Sequence, residues 1–351
     1  IFKAELKKVF QDKGVLIFFI LVPLAYPLIY AFIYNNEVIR EVPAAVVDYD
    51  NTALSRQYIR NVDATPDVRI IAHCTSMAEA ERLIKNREVY GIVRIPSDFT
   101  RNINTMQQAH VGVYADMSGL LYYKALVLAN TNVSLAMNAD IKVQRKPSTT
   151  AEQDKVTQMP IRYEQVDLYN PQTGFASFLI PAVLILVLQQ TLVLGVGLSA
   201  GTDNESNRYR ELQPINSHFN GMLRIVFGKG FAYLLIYLWN IAFVLEVVPR
   251  IFHLPQIGNP LDLWLIAIPF LLAIIFMAMT ITFLIRQRET GFMLIVFASV
   301  PLLFLSGVSW PGVSIPTFWK YVSYLFPSTF GVNAYIKINS LGAEMGDVKP
   351  E

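Results

Sequence analysis

The sequence predicts an α-helical polytopic membrane protein with an inserted α/β domain, and three observations predict it. Hydrophobic residues make up 53% of the 351 and charged residues 16%, a balance too apolar for an average soluble domain. Five apolar runs approach the roughly 20 residues that a helix needs to cross a hydrocarbon core. Between the first and second runs, residues 35–174 switch to short β-rich segments alternating with amphipathic helical ones. Composition also excludes some chemistry. One cysteine, Cys74, rules out an intrachain disulfide framework and a Cys-rich metal site. His73, His110, His218 and His253 have no metal-ligand spacing. The chain begins at Ile1, which leads to the expectation of a cut or processed N-terminus.

Residues 1–14 place Phe2, Leu6, Val9 and Phe10 on one helical face with the lysines largely elsewhere. That pattern suits a helix lying in the cytoplasmic interface; the alternative is a solvated extension of the first span. Span 1 covers 15–34 and holds Pro23 and Pro27, which a membrane helix tolerates when its neighbours satisfy the freed carbonyls. It is too long, and lacks a small-residue cleavage site, to be a removable signal.

Within 35–174, strands are expected at "PAAVVD" (43–48), "VRIIAH" (68–73), "YGIVRIP" (90–96) and "HVGVYAD" (110–116). Helical stripes lie between them at 52–62, 77–86 and 97–106, with Asp50, Ser76 and Ser97 placed as N-caps and Ser76–Glu79 as a capping box. Alternation of this kind implies a mainly parallel sheet. A long helix over 119–143 and a polar linker over 146–155 follow. Asp48, Asp50 and Asp116 fall at strand ends, where turn and cap duty accounts for them without a catalytic set around them.

Span 2 covers 175–198 and carries Gln189 and Gln190, which are candidates for a substrate path with interhelical hydrogen bonding as the alternative. The loop 199–224 predicts a short helix over 204–212, stopped before Pro214, that shows Glu205, Arg208, Arg210 and Glu211 to a cytosolic partner; the alternative is an ordinary solvated loop. Span 3 covers 225–248, with Lys229 and Glu246 near its ends as snorkelling charges. Spans 4 and 5 cover 263–285 and 292–308, and Phe304 and Ser306 join the candidate path. Residues 309–341 break on Pro311, Pro316 and Pro327 and carry Trp310, Trp319, Tyr321, Tyr324 and Tyr335. Two helices too short to span, anchored by aromatics at headgroup depth, are expected there.

Lys3, Lys7, Lys8 and Lys13, then Arg208, Arg210, Arg224 and Lys229, then Arg286 and Arg288 flank the spans on one side. The positive-inside rule puts that side, and the N-terminus, in the cytoplasm. Five spans leave the C-terminus outside, so a sixth is expected beyond this chain. There is no phosphate-binding G-x-x-x-x-G-K-[ST], and the spans are almost free of the buried charges that a gradient-driven carrier needs. If the chain moves a substrate, the energy is therefore expected from outside the bilayer.

The chain resembles the permease subunits of type-2 ABC exporters, in the subgroup with a large extracytoplasmic domain between spans 1 and 2, and bacterial multidrug efflux permeases in particular. The resemblance rests on "AELKKVFQDKGVLIFFILVP", "VVDYDNTALSR", "ESNRYRELQPIN", the "GKG" at 228–230, and the hairpin with Ser306, Gly307, Pro311, Pro316, Trp319, Pro327 and 331–337. Gln213 stands where the family has Ser or Thr. It implies a type V-like fold with six spans, Glu205, Arg208, Arg210 and Glu211 as the coupling segment, and a re-entrant hairpin in the outer leaflet. It also implies no catalysis and no cofactor on this chain, with ATP and magnesium on a partner ABC ATPase. A second permease (as homodimer or heterodimer, with spans 2 and 5 at the seam), a periplasmic adaptor, the cell inner membrane and export of lipophilic or amphipathic cargo (drug-like or lipid) complete the implied picture. No nucleic-acid partner is expected. The alternative is a membrane-anchored sensor that binds ligands through the α/β domain.

Overall fold

The computed structural model describes every residue except 36–37, 146–149, 162–165, 167, 171–173, 217–218, 286 and 349–351, and every helical side chain except those of 209, 211, 212, 215, 294 and 295. The chain forms two compact units, Ile1–Glu37 with Asp167–Glu351, and Val38–Val166.

The smaller unit is a four-stranded sheet of β1 (Val42–Asp48), β2 (Val68–Cys74), β3 (Gly91–Ile95) and β4 (Gly112–Ala115) in the order β2-β1-β3-β4. β1 runs parallel to β2 and β3, and β4 closes the edge antiparallel. Alternation of side chains along the central strand feeds two cores. Val42, Ala44 and Val46 pack with Tyr58, Ile59 and Val62 and with Leu126 and Ala129 of the long helix Leu120–Gln144. Ala45 and Val47 pack on the other face with Ala80, Val89 and Ile92.

The N-caps differ from expectation at two of three helices. Ser76 caps Met77–Lys85 through Glu79 N–H at 3.3 Å, while the Glu79 carboxylate turns to Thr75 and leaves the capping box half made. Ala53–Asp63 is capped by Thr52, in a box with Ser55, rather than by Asp50; Asp50 instead accepts from Thr52 and Thr100. Phe99–Asn104 starts behind Asp98, not Ser97, because a turn from Phe99 N–H to the Pro96 carbonyl closes first. Asp48 takes the amides of Asp50 and Asn51 and the Ser55 hydroxyl, and Asp116 takes the Ser118 amide. All three strand-end aspartates are thus engaged in turns and caps. Part of the expected linker is the helix Ala151–Gln158, capped by Thr150; 146–149 lie outside the described residues.

Among its described residues the larger unit holds five apolar helices long enough to cross a membrane: Lys13–Ile33, Phe175–Glu205, Gly221–Ile251, Pro260–Leu284 and Arg288–Leu305. Span 2 is the axis, packed against the other four and against the helix Pro327–Asn339. Its 31 residues measure about 46 Å at 1.5 Å per residue, well over the roughly 30 Å of a hydrocarbon core. Its last turns, with Asp203 and Glu205, therefore extend past the apolar layer. Gly195 lets span 1 approach closely, since a Cβ there would lie 2.5 Å from the Phe19 ring.

Two prolines of the spans, Pro23 and Pro249, are answered by amide side chains. Pro23 has no N–H to offer the Phe19 carbonyl, and Asn240 of span 3 donates to that carbonyl at 2.7 Å. Pro249 likewise leaves the Leu245 carbonyl without its helical donor, and Gln256 supplies one at 2.7 Å. Each site adjoins one turn of π-helix, Ile17–Leu21 and Phe243–Val247, a feature common where a helix ladder is interrupted.

The two expected short helices are Thr317–Ser323 and Pro327–Asn339. Trp310, Trp319, Tyr321 and Tyr324 are all exposed, as headgroup anchors would be. Tyr335 is not an anchor: it is buried with Val332, Ala334 and Ile338 against spans 2 and 4. Proline breaks fix where this helix starts, but its Ser328, Gly331 and Ala334 are small enough to let it sink between the spans rather than lie on them.

Candidate functional site

The amphipathic helix Phe2–Gln11 forms as expected, with only part of its apolar stripe inward: Val9 is buried and Leu6 packs against the core. Glu5 and Val9 are buried while Phe2 and Phe10 are exposed. In a bilayer the apolar stripe can face lipid, and the ionisable residues turn to the protein interior. Glu5 and Lys8 accordingly meet Ser199 and Asp203 from span 2 and Lys229 and Tyr233 from span 3.

The geometry is closely knit. Lys8 Nζ lies 2.6 Å from Asp203 Oδ1 and donates to the Ser199 hydroxyl at 2.8 Å and carbonyl at 3.1 Å. Lys229 Nζ lies 2.9 Å from Asp203 Oδ2 and 3.5 Å from Glu5 Oε2. Glu5 Oε1 accepts from Tyr233 and, at 3.3 Å, from Ser199. The four charged side chains are only 6–12% exposed, and two cations balance two carboxylates. Removing these charges from water costs several kcal/mol per ion, offset only when each is paired and hydrogen-bonded, as here. Lys229 does not snorkel: its partners lie on the neighbouring elements. Tyr233 also stacks on Phe19 of span 1 at 5.4 Å, so the cluster touches three spans and the amphipathic helix.

A second tie lies alongside. Asp12 caps the start of span 1 by accepting from the Gly14 and Val15 amides. The same carboxylate takes a two-pronged bond from Arg288 at 2.9 and 3.1 Å, and Thr202 of span 2 donates to it at 3.3 Å. Burial on its own would raise the Asp12 carboxyl, but the Arg288 guanidinium and the two amides outweigh it and hold the group below the ordinary carboxylate value. Two glycines make room. A Cβ at Gly14 would lie 2.1 Å from Arg288 Nη2, and one at Gly201 would lie 2.7 Å from Arg288 Cα. Glu205 accepts the Arg288 amide at 2.8 Å and so caps span 5.

Of the predicted coupling residues, Glu205 sits in the last turn of span 2 rather than in a separate helix. The loop helix runs Tyr209–Asn216 and passes through Pro214 instead of stopping before it. Proline there removes only one short-range bond, from a carbonyl on an exposed helix that water can solvate. Arg208 and Arg210 are exposed beside this helix and on it; Glu211 is in the helix, with its side chain outside the described residues.

The predicted path residues have distinct environments. Gln189 is buried and bonds twice to Ser328, donating to its hydroxyl at 3.0 Å and accepting its amide at 2.7 Å. It supplies the N-terminal cap that Phe326 cannot give the helix Pro327–Asn339. Gln190 donates to the Ser299 carbonyl of span 5 at 3.3 Å. Ser306 is buried and bonded to the Leu303 carbonyl, whereas Phe304 is on the exposed side of span 5. Of the hairpin residues, Pro316 precedes the first helix and Pro327 opens the second, while Trp310 donates to the Ser314 carbonyl.

The ion cluster escaped the sequence reading because its members stand on three separate segments. The available signal was opposite charge at the apolar boundaries: Lys229 at the start of one span and Asp203 just past the end of another.

A family model described as ABC-2 family transporter protein matches residues 13–349. The chain is 21% identical over 341 residues to ABC transporter G family member 20 of Dictyostelium discoideum, covering 95% of this chain and 44% of that protein. It is 19% identical over 330 residues to the probable multidrug ABC transporter permease YbhR of Escherichia coli K12, covering 93% of this chain and 84% of that one. The chain thus spans less than half the length of the Dictyostelium relative. No solved structure matches it significantly.

Proposed function

We propose that this chain, which belongs to the ABC-2 family of transporter proteins, is the permease subunit of an ATP-driven exporter. The observation that carries the reading is the pair of polar ties. They lock the amphipathic helix to spans 2 and 3, and the start of span 1 to spans 2 and 5, so that a push on this end of the bundle moves all of them together. Arg208 and Arg210 stand exposed at the same end, where a partner ATPase carrying ATP and magnesium would grip. The basic flanks support a cytoplasmic N-terminus in the cell inner membrane and an extracytoplasmic α/β unit, which a periplasmic adaptor would contact.

A second permease would pack on span 5, whose Phe297 and Val300 are 78% and 60% exposed. Span 2 is enclosed by its own chain, so span 5 carries the seam. The cargo is lipophilic or amphipathic, drug-like or lipid, in keeping with the uncharged middle of the spans and with the multidrug name of the bacterial relative. Gln189 then holds the outer hairpin in place over the path. The test uses inside-out vesicles containing the chain with its co-expressed ATPase. ATP-dependent accumulation of a fluorescent amphipath, lost without ATP, is expected; accumulation driven by an ion gradient without nucleotide would overturn the reading.

A further inference from the structure

The α/β unit contains a cavity of about 540 Å³ between the long helix Leu120–Gln144, the helix Phe99–Asn104 and β4, within the usual range for small-molecule sites. None of the aspartates or the polar ties described above lines it. Apolar side chains stand on both sides: Phe99 and Ile103 on one, Leu135 and Ile141 on the other. Gln107, Gln108, Thr131 and Asn138 add uncharged polar side chains to the lining, and its hydrogen-bonded polar groups lie in two places. Tyr58, Asn130 and Ser134 form one patch, with the Tyr58 hydroxyl 3.2 Å from Asn130 Oδ1 and 3.1 Å from Ser134 Oγ. The Asn130 amide nitrogen is fixed on the Leu126 carbonyl at 2.8 Å, so this patch is rigid. Arg145 is the second, and it is the one charged side chain among the described lining residues.

Arg145 donates to the Ile103 carbonyl, which holds its guanidinium at the end of the cavity. No described carboxylate forms an ion pair with it. A guanidinium presents five N–H donors in a planar fork that matches a carboxylate or phosphate. A trough with apolar and uncharged polar walls, ending in an exposed cation that is held on a backbone carbonyl and with no acid among its described lining residues, is complementary to one kind of molecule.

We propose that this cavity binds a small amphipathic anion, with its acidic head on Arg145 and its apolar body between Phe99, Ile103 and Leu135. The site is independent of the coupling to an ATPase, because every lining residue belongs to the α/β unit.

The test uses the full chain in detergent, with Cys74 replaced by Ser and Gln108→Cys at the cavity carrying an environment-sensitive fluorophore. Octanoate, octanol and octylamine are titrated as probes. The expected result is a saturable change with octanoate and about tenfold or weaker affinity for octanol and octylamine, as loss of a charge-assisted contact implies. Arg145→Gln should remove the preference for octanoate over octanol. Leu135→Trp, at a position 53% exposed where a larger side chain can be accommodated, should block both. Equal affinity for octanoate and octanol, a response that never saturates, or a response indifferent to Leu135→Trp would each overturn the proposal.

Discussion

Asp203→Asn tests the buried ion cluster most severely. The change keeps the shape of the side chain but leaves Lys8 and Lys229 facing Glu5 alone, one positive charge in excess. At 2.6 Å and an effective dielectric of about 20, the Lys8–Asp203 attraction is on the order of 6 kcal/mol before desolvation is subtracted. Measured losses on removing one partner of a buried pair are about 3–5 kcal/mol. For a unit of this size each kcal/mol moves the melting temperature by about 2–4 °C, so a fall of about 6–20 °C is expected. The assay is thermal unfolding of the purified chain in a mild detergent. Asp203→Asn with Lys229→Gln restores charge balance, leaving Glu5 with Lys8 at 3.8 Å. The double variant should therefore be more stable than the sum of the two single losses by about 1 kcal/mol or more. A single-variant fall under about 2 °C, or a double variant that merely adds, would refute the reasoning.

Three further outcomes follow from the same structure. Asn240→Leu should cost about 1–3 kcal/mol by stranding the Phe19 carbonyl, and Pro23→Ala should recover much of that loss in the double variant, because residue 23 regains an N–H; unfolding of the four proteins checks it. Gln189→Leu should expose the start of Pro327–Asn339 to faster amide hydrogen exchange at Ser328, while Gln189→Glu, which keeps the acceptor, should slow it again relative to Leu. For Asp12, whose folded pKa lies below its ordinary value of 3.8, the stabilisation is complete above that value and is lost as pH falls through the folded pKa. Asp12→Asn should therefore lower the melting temperature at pH 7 and flatten its pH dependence below about pH 4.

Much of the fold was legible because the strongest signals are local. Apolar runs of span length, period-two strands and Ser76 as a cap each sit within one segment, and the observed strands agree with expectation to within two residues. The ends of elements were less legible. Span 2 was expected to stop at 198 but runs to Glu205, since a helix continues past the apolar layer while its backbone bonds remain satisfied. The apolar stripe of the amphipathic helix is only partly inward, with Val9 buried and Phe2 and Phe10 exposed, and Glu5 and Lys8 matter because of residues 190 or more positions away. Pro214 shows the same limit, as its disruptive effect depends on whether the stranded carbonyl reaches water. The role of Gln189 could not be chosen from sequence, because its partner Ser328 belongs to a helix whose depth is set by packing against spans 2 and 4.

The most direct test of the account is a gentle-detergent purification of the tagged chain from its native membrane, with the eluate assayed for ATP hydrolysis. The account predicts a co-purifying ATPase that is lost when Arg208 and Arg210 are both changed to Glu, while the chain itself stays folded. An eluate without hydrolysis, or an ATPase retained at full activity by the Arg208→Glu, Arg210→Glu variant, would contradict it.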